Sequence, residues 1–446
     1  MNIHEIDADR RGADDYLFSR GKAWFALLMT LGLMVFDYMD RQVIVSLFPY
    51  LKAAWGVSDK ELGALVSVVS VTVALGSVPI ALFADRASRV KSIVLMAVVW
   101  SLATILCMFT GNFSQLLAAR SIVGLGEAGY GSVGGALIAT HFPARMRGAV
   151  MAGFLATVSV GSVLGVMLGG LIASQWGWQA AFGVVGFPGL VLALLYLTVR
   201  DYRTVELTPA LDKATQSMSD AAGHIVRILV RSRTILWVCI GGAAQLIVVS
   251  AVWSWLPSFL NRAYGLAPAE AGVKAALVVL AGGIGSVVCG AVVDRVGTSR
   301  PRAKFTALAL LCIATLVILM LAFEPRLLGL SLSPGLQFAL IVLGGFIMTC
   351  TVGPTAAIVI DVVHPGVRAT GCSVLALFQN LFGLALGPFI AGLFSDVWGL
   401  ELALAIMPLF SAIAAASFVI AADSYESEKQ RANELSLPVA QARAFA

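Results

Sequence analysis

Charge is what this sequence has least of. Lys, Arg, Asp and Glu make up 12% of its 446 residues, against about 25% in ordinary soluble domains. Hydrophobic side chains make up 59%, and the mean hydropathy is +0.91. A chain so poor in charge cannot cover a water-exposed surface, and it belongs in a bilayer. Other absences narrow the reading. No GxxxxGK[ST] loop and no soluble catalytic domain is present, so neither a nucleotide-driven pump nor an enzyme is expected, and any work must draw on a gradient. The six cysteines, at 107, 239, 289, 312, 350 and 372, all fall in apolar runs without CxxC spacing. They read as small buried hydrophobes, with no disulfide framework, metal site or cofactor expected. The first 22 residues are polar and of mixed charge, so no cleavable signal is expected.

What is present is apolar sequence in long runs. A spanning helix needs about 20 mostly apolar residues, and twelve windows qualify: 23–45, 61–83, 91–111, 114–140, 148–173, 180–200, 233–256, 269–293, 304–323, 336–361, 368–393 and 399–421. Of the 30 Lys and Arg, 23 lie in the even-numbered connections and the two tails. Only Lys52, Lys60, Arg262, Lys274 and Arg326 lie on the other side, and Arg41 and Arg120 lie within spans. The positive-inside rule therefore places both termini in the cytoplasm, with a bacterial inner membrane as the expected location. The net charge of +5 reports topology and predicts no nucleic-acid partner.

The chain also repeats itself. ADRASRVK at 84–91 returns as VDRVGTSRPRAK at 293–304, His141-Pro143-Arg147 is echoed by His364-Pro365-Arg368, and Trp176-Gly177 by Trp398-Gly399. The offsets lie between 209 and 223 residues. The expected architecture is an all-α polytopic membrane protein of two pseudo-symmetric six-helix bundles, 23–200 and 233–421. A cytoplasmic linker, 201–232, joins them, with His224 to Val230 as a short amphipathic surface helix; tails cover 1–22 and 422–446. Repeats of this kind build many secondary transporters, whose substrate site lies near the midplane between rocking halves. A twelve-helix scaffold without transport is the bland alternative.

These residues resemble a known family. ADRASRVK is similar to the G-x-x-x-D-R-x-G-R-[KR] loop of major facilitator transporters, with Ala81 and Ser88 where glycines are usual. YMDR at 38–41 and RSIVGLGEAGY at 120–130 resemble the N-Y-x-D-R and R-x-x-V-G-x-G-E-A-x-Y elements of the spinster-like branch. Organic-anion symporters of the superfamily carry similar elements. The resemblance implies a monomer that moves a small amphipathic organic anion or lysolipid among membrane lipids, coupled to protons. Uptake of a small organic acid by proton symport is the alternative.

Five charged residues sit inside spans: Asp37, Asp40, Arg41, Arg120 and Glu127. Each costs roughly 2.5–3.5 kcal/mol at a helix centre on insertion scales, so they must face a cavity or one another. Asp37 lies one turn from Arg41, and Arg120 two turns from Glu127 on one stripe. A carboxylate desolvated in one state and opposite a cation in another can carry a proton. Asp40 and Glu127 are the candidates, with Arg41 and Arg120 as counter-charges; a static ion-pair network is the alternative. Asp37 stands where the family pattern has Asn, and either shares a proton with Asp40 or simply pairs with Arg41.

The second half offers polar and aromatic positions instead. Gln245, Ser250, Trp253, Trp255, Thr349, Thr351, Gln379 and Asn380 are candidates, joined in substrate binding by Arg41, Arg120, Glu127 and Tyr130. The repeat offset carries Asp40 to the neighbourhood of Trp253 and Trp255, which predicts proton handling in the first half and substrate gripping in the second. Interfacial anchoring is the competing role for the tryptophans. Asp85, Arg86 and Arg89, with the repeat copy Asp294 and Arg295, are the candidate gate residues. GSVLGVMLGG at 161–170 places small residues at four-residue spacing for close helix approach. Val166 stands there where antiporters of the superfamily often have proline.

Overall fold

The computed structural model describes residues 16–86, 88–201, 232–299, 301–325, 329–363 and 368–444. Nearly all of the 201–232 linker, including His224 to Val230, lies outside them, as do most of the 1–22 tail and His364 and Pro365. Among the described residues regular structure is helical, and twelve stretches are long and apolar enough to cross a membrane. All twelve windows have a counterpart. The first span is longer than its window, running Arg20–Trp55 through a short 3-10 segment at Ile44–Leu47.

Four spans are irregular where continuous helix was expected, span 12 among them, with a turn between Leu400–Ile406 and the helix that starts at Leu409. Span 4 is Phe113–Glu127 followed by Tyr130–His141, and span 10 is Pro334–Ile347 followed by Val352–Val362. The breaks are 220 and 222 residues apart, so they are repeat copies of one another. Gly129, at φ 94°, makes the first turn possible, since a side chain there would clash with its own backbone. Span 11 carries a π-helical turn at Gln379–Leu384. Such interruptions are tolerated in a bilayer only where protein or a cavity receives the freed backbone groups.

Within the first half spans 1 and 5 run along each other, and spans 3 and 4 pack together; spans 7 and 12 and spans 9 and 12 do so in the second. In lipid no hydrophobic force draws helices together, so close contact must do it. The small-residue stripe of span 5 supplies that contact. A Cβ on Gly161 would lie 2.5 Å from the Val35 carbonyl, and one on Gly165 2.5 Å from that of Met39. Span 1 is thus held against span 5 along the stretch that carries Asp37 to Arg41.

The halves meet through spans 5 and 8 and through spans 2 and 11. Gly170 abuts Pro268, Gly272 abuts the Val166 carbonyl, and Gly392 abuts Asp59. The Phe48 and Trp255 rings meet across the seam, tilted, with centroids 5.0 Å apart. These contacts gather at the far face, opposite the membrane face where span 1 begins at Arg20.

Candidate functional site

The five mid-membrane charges come together between spans 1 and 4. Asp37, Asp40, Arg120 and Glu127 are each at most 2% exposed. Arg120 Nη1 donates to Asp40 Oδ2 and to the Asp40 carbonyl, both at 3.2 Å. Arg41 Nη2 donates to Asp37 Oδ1 at 3.4 Å, and Arg41 Nε lies 3.0 Å from Glu127 Oε2. That last pair is close but misaligned, and neither atom completes a hydrogen bond. The pairing is crossed: the arginine of span 4 holds an aspartate of span 1, and the arginine of span 1 faces the glutamate of span 4. Arg41 retains 18% side-chain exposure and lies over the Tyr38 ring at 5.2 Å, so it is the cluster's most accessible cation.

Local backbone explains why Glu127 is aimed here. It ends the helix Phe113–Glu127, and close approach of Gly126 to Trp100, 2.6 Å from a built Cβ to the Trp100 nitrogen, presses span 4 onto span 3. Tyr130 restarts the span. Its ring is fully buried on Trp100 at 5.2 Å and its hydroxyl donates to the Thr30 carbonyl at 2.7 Å, so its polar atom is already used in packing.

Paired charges buried between broken helices, in two six-helix halves related by a repeat, define an architecture that comparison then identifies. The model of the Major Facilitator Superfamily matches residues 30–381 and 238–445. The chain belongs to the Major Facilitator Superfamily. Within it the chain is 24% identical over 410 residues to protein spinster homolog 3 of Danio rerio, covering 88% of this chain and 80% of that one. It is 28% identical to a probable L-galactonate transporter of Escherichia coli, covering 60% and 61%. Its fold matches a solved inward-facing, unoccupied bacterial homolog of the human lysosomal transporter spinster, with a TM-score of 0.81 over 92% of this chain and 99% of that chain at 23% identity. The family and the fold are those of transporters, integral to the membrane and multi-pass.

In this Major Facilitator chain the second-half candidates fall into two groups. Trp255 is fully buried, donates Nε1–H to the Pro388 carbonyl at 2.9 Å, and lies beneath Arg262 on the far-face seam. Gln245 is fully buried and donates to the Met348 carbonyl at 2.9 Å, a backbone group freed by the break in span 10. Thr349 holds the same break by donating to the Gly282 carbonyl at 2.8 Å, and Ser250 donates to the Gly383 carbonyl at 3.2 Å. Trp253 is partly buried and its Nε1 has no partner. Gln379 and Asn380, half-buried in the π-helical turn, reach only Thr355 Oγ1 at 3.4 Å and the Ala376 carbonyl at 2.9 Å. Trp253, Gln379 and Asn380 are thus the partly exposed second-half candidates with polar capacity left for a ligand, while Gln245 Oε1 is unpartnered but fully buried and Thr351 is buried.

Of the gate candidates, Asp85 and Arg86 end the helix Asp59–Arg86, and their side chains lie outside the described part. Arg89 opens the next helix, capped by Ser88, whose hydroxyl contacts Asp201. Asp294 pairs with Lys304 at 3.5 Å, while Arg295 is exposed. A second charged cluster, at the far face, was missed from the sequence. Asp59 takes both Arg262 Nη atoms at 2.5 and 2.8 Å, Lys52 Nζ at 2.6 Å and the Ser395 hydroxyl at 2.5 Å. Asp396 accepts the backbone N–H groups of Asp59 and Lys60 at 2.8 Å each, capping span 2 from the other half. Above this latch opens a cavity of about 790 Å³, lined by Lys52, Asp59, Arg262, Glu324, Asp396 and Glu401 among others. The signal available was the pair Lys52 and Arg262 on the cation-poor side, read there as topology alone.

Proposed function

We propose that this chain is a proton-coupled secondary transporter that moves an amphipathic organic anion or lysolipid-like molecule by alternating access. The observation that carries the reading is the crossed pairing of Asp40 with Arg120 and Glu127 with Arg41, buried between two spans of one half. A charge set as costly as this in a membrane has a use if its partners exchange as the halves rock, because an acid that loses its counter-cation takes up a proton. One charge moving through 100 mV supplies about 2.3 kcal/mol, enough for more than one decade of substrate accumulation. The far-face latch supports a conformation closed on that side. With the opposite face, where span 1 begins, in the cytoplasm, as the arginine and lysine distribution argues, this is an inward-facing monomer in a bacterial inner membrane. Asp40 and Glu127 carry the proton in this scheme, while Trp253, Gln379 and Asn380 contact substrate from the other half.

Uptake into proteoliposomes with and without an imposed pH gradient tests the coupling. Accumulation should require the gradient; equal rates in both conditions would sink the proton hypothesis. A second reading, symport of a small organic acid, draws on the partial exposure of Arg41, a guanidinium suited to a carboxylate, and on the named substrate of the L-galactonate relative. Thermal-shift titration separates the two: stabilisation by lysolipids favours the first, and by short carboxylic or sugar acids the second.

A further inference from the structure

We infer that the central cluster of this chain holds one proton in its substrate-free, far-face-closed state, carried by Glu127, and that Asp37 is the residue that makes it necessary. The inference deepens the proton-coupled reading and rests on it only for the proton's use in transport.

Charge and geometry give the argument. Three carboxyl groups, Asp37, Asp40 and Glu127, face two guanidinium groups, Arg41 and Arg120, so the fully ionised cluster carries one negative charge in excess. An unbalanced charge is expensive to bury, whereas a neutral carboxyl is not. The hydrogen bonds locate the excess. Asp37 and Asp40 each accept from an arginine, but both Glu127 oxygens and Asp40 Oδ1 are buried without a donor. Glu127 and Asp37 share one cation, since Arg41 lies 3.0 Å from the first and 3.4 Å from the second, while Asp40 has Arg120 to itself. A proton on Glu127, whose two oxygens have no partner, supplies a donor to the cluster and cancels its excess charge together.

The unused Arg41 and Arg120 Nε–H groups can offer a donor, but among the described residues no further cation is present to balance the charge. The charged side chains acting on Glu127 are Arg41, Asp37, Asp40 and Arg120. Tyr38 lies against Arg41, the Tyr130 hydroxyl is committed to Thr30, and the Thr104 hydroxyl on span 3 donates to the Trp100 carbonyl. Cys107, also on span 3, is buried. Among the described residues no group of three His, Cys, Asp or Glu is arranged to hold a metal ion. Asparagine at position 37 would leave two acids against two cations, a balanced cluster without need of the proton.

The test uses the full chain in lipid nanodiscs with no substrate added. Infrared difference spectra between neutral and alkaline pH should show loss of a protonated-carboxyl C=O band in the wild type. The band should be absent in Asp37→Asn and in Glu127→Gln. A wild type without the band, or Asp37→Asn with the band at full amplitude, overturns the inference. Melting provides a second readout: wild-type stability should fall as pH rises and the buried acid is forced to ionise, and Asp37→Asn should respond less. A flat wild-type profile counts against the inference even if the variants fail to fold. The two proposals separate cleanly. A band without gradient-driven accumulation defeats the transport reading alone, and accumulation without the band defeats only this one.

Discussion

Asn in place of Asp59 should open the far face. The carboxylate is 2% exposed and anchors Arg262 from span 7, Ser395 from span 11 and Lys52 from its own half. Truncating one partner of a buried, hydrogen-bonded charge pair costs about 2–5 kcal/mol. Arg262 and Lys52 are 33% and 43% exposed, so water screens part of the interaction and the lower end applies, roughly 2–3 kcal/mol. The penalty falls on the closed state alone, because these partners separate when the halves part. At about 1.4 kcal/mol per decade, the closed-to-open ratio should drop by roughly thirty- to a hundredfold. Spin labels on cysteines introduced at the exposed positions Ala54 and Val397, one on each half, report the change as a longer inter-label distance in double electron–electron resonance. Arg262→Gln should give the same shift, and the double variant should add little to either single one, since all three remove one interaction. An unchanged distance distribution in Asp59→Asn, or full additivity in the double variant, would refute the latch.

Other consequences are as direct. Asp40→Asn and Glu127→Gln should abolish gradient-driven accumulation while sparing exchange of substrate across proteoliposomes; wild-type accumulation in both would mean the wrong acids were chosen. Arg120→Ala leaves Asp40 buried without its cation and should destabilise by about 3–5 kcal/mol, read as a large fall in detergent melting temperature, with partial recovery in Arg120→Ala combined with Asp40→Asn. Gly165→Ala drives a methyl group into the Met39 carbonyl and should cost about 1–3 kcal/mol, whereas Gly153→Ala, with open space around it, should be nearly silent in the same melting assay. Gln245→Leu removes the donor to the Met348 carbonyl at the span 10 break and should cost about 1–3 kcal/mol. It should also raise hydrogen exchange at Met348 to Val352, which a purely global destabilisation would not single out.

Much of the architecture was legible in the sequence because it follows from local composition. Twelve apolar windows became twelve spans, and the glycine spacing at 161–170 became the contact that seats span 1 on span 5. The interruptions of spans 4, 10 and 11 were not legible, since apolar periodicity runs through them unbroken. Only the left-handed turn at Gly129 and the clustered Thr349, Cys350 and Thr351 hint at the breaks. Tyr130 and Trp255 looked like ligand-facing aromatics by motif and by repeat offset. Their hydroxyl and indole N–H instead satisfy the Thr30 and Pro388 carbonyls, partners 100 and 133 residues away in the chain.

The helix-spacing rule paired Asp37 with Arg41, and the structure keeps that pair because both lie on one turn of one helix. The same rule put Arg120 and Glu127 on one stripe, yet each finds its partner on span 1. Sequence alone determined that five charges lie at membrane depth, because hydropathy and helix rise are local properties. It also determined the family, through residues adjacent in the chain. Which charge meets which, that three carboxyl groups crowd onto two guanidinium groups, and that Asp59 ties the halves together at the far face were decided by tertiary structure. Coulomb energy depends on distances between helices far apart in the chain, and only their packing sets those distances.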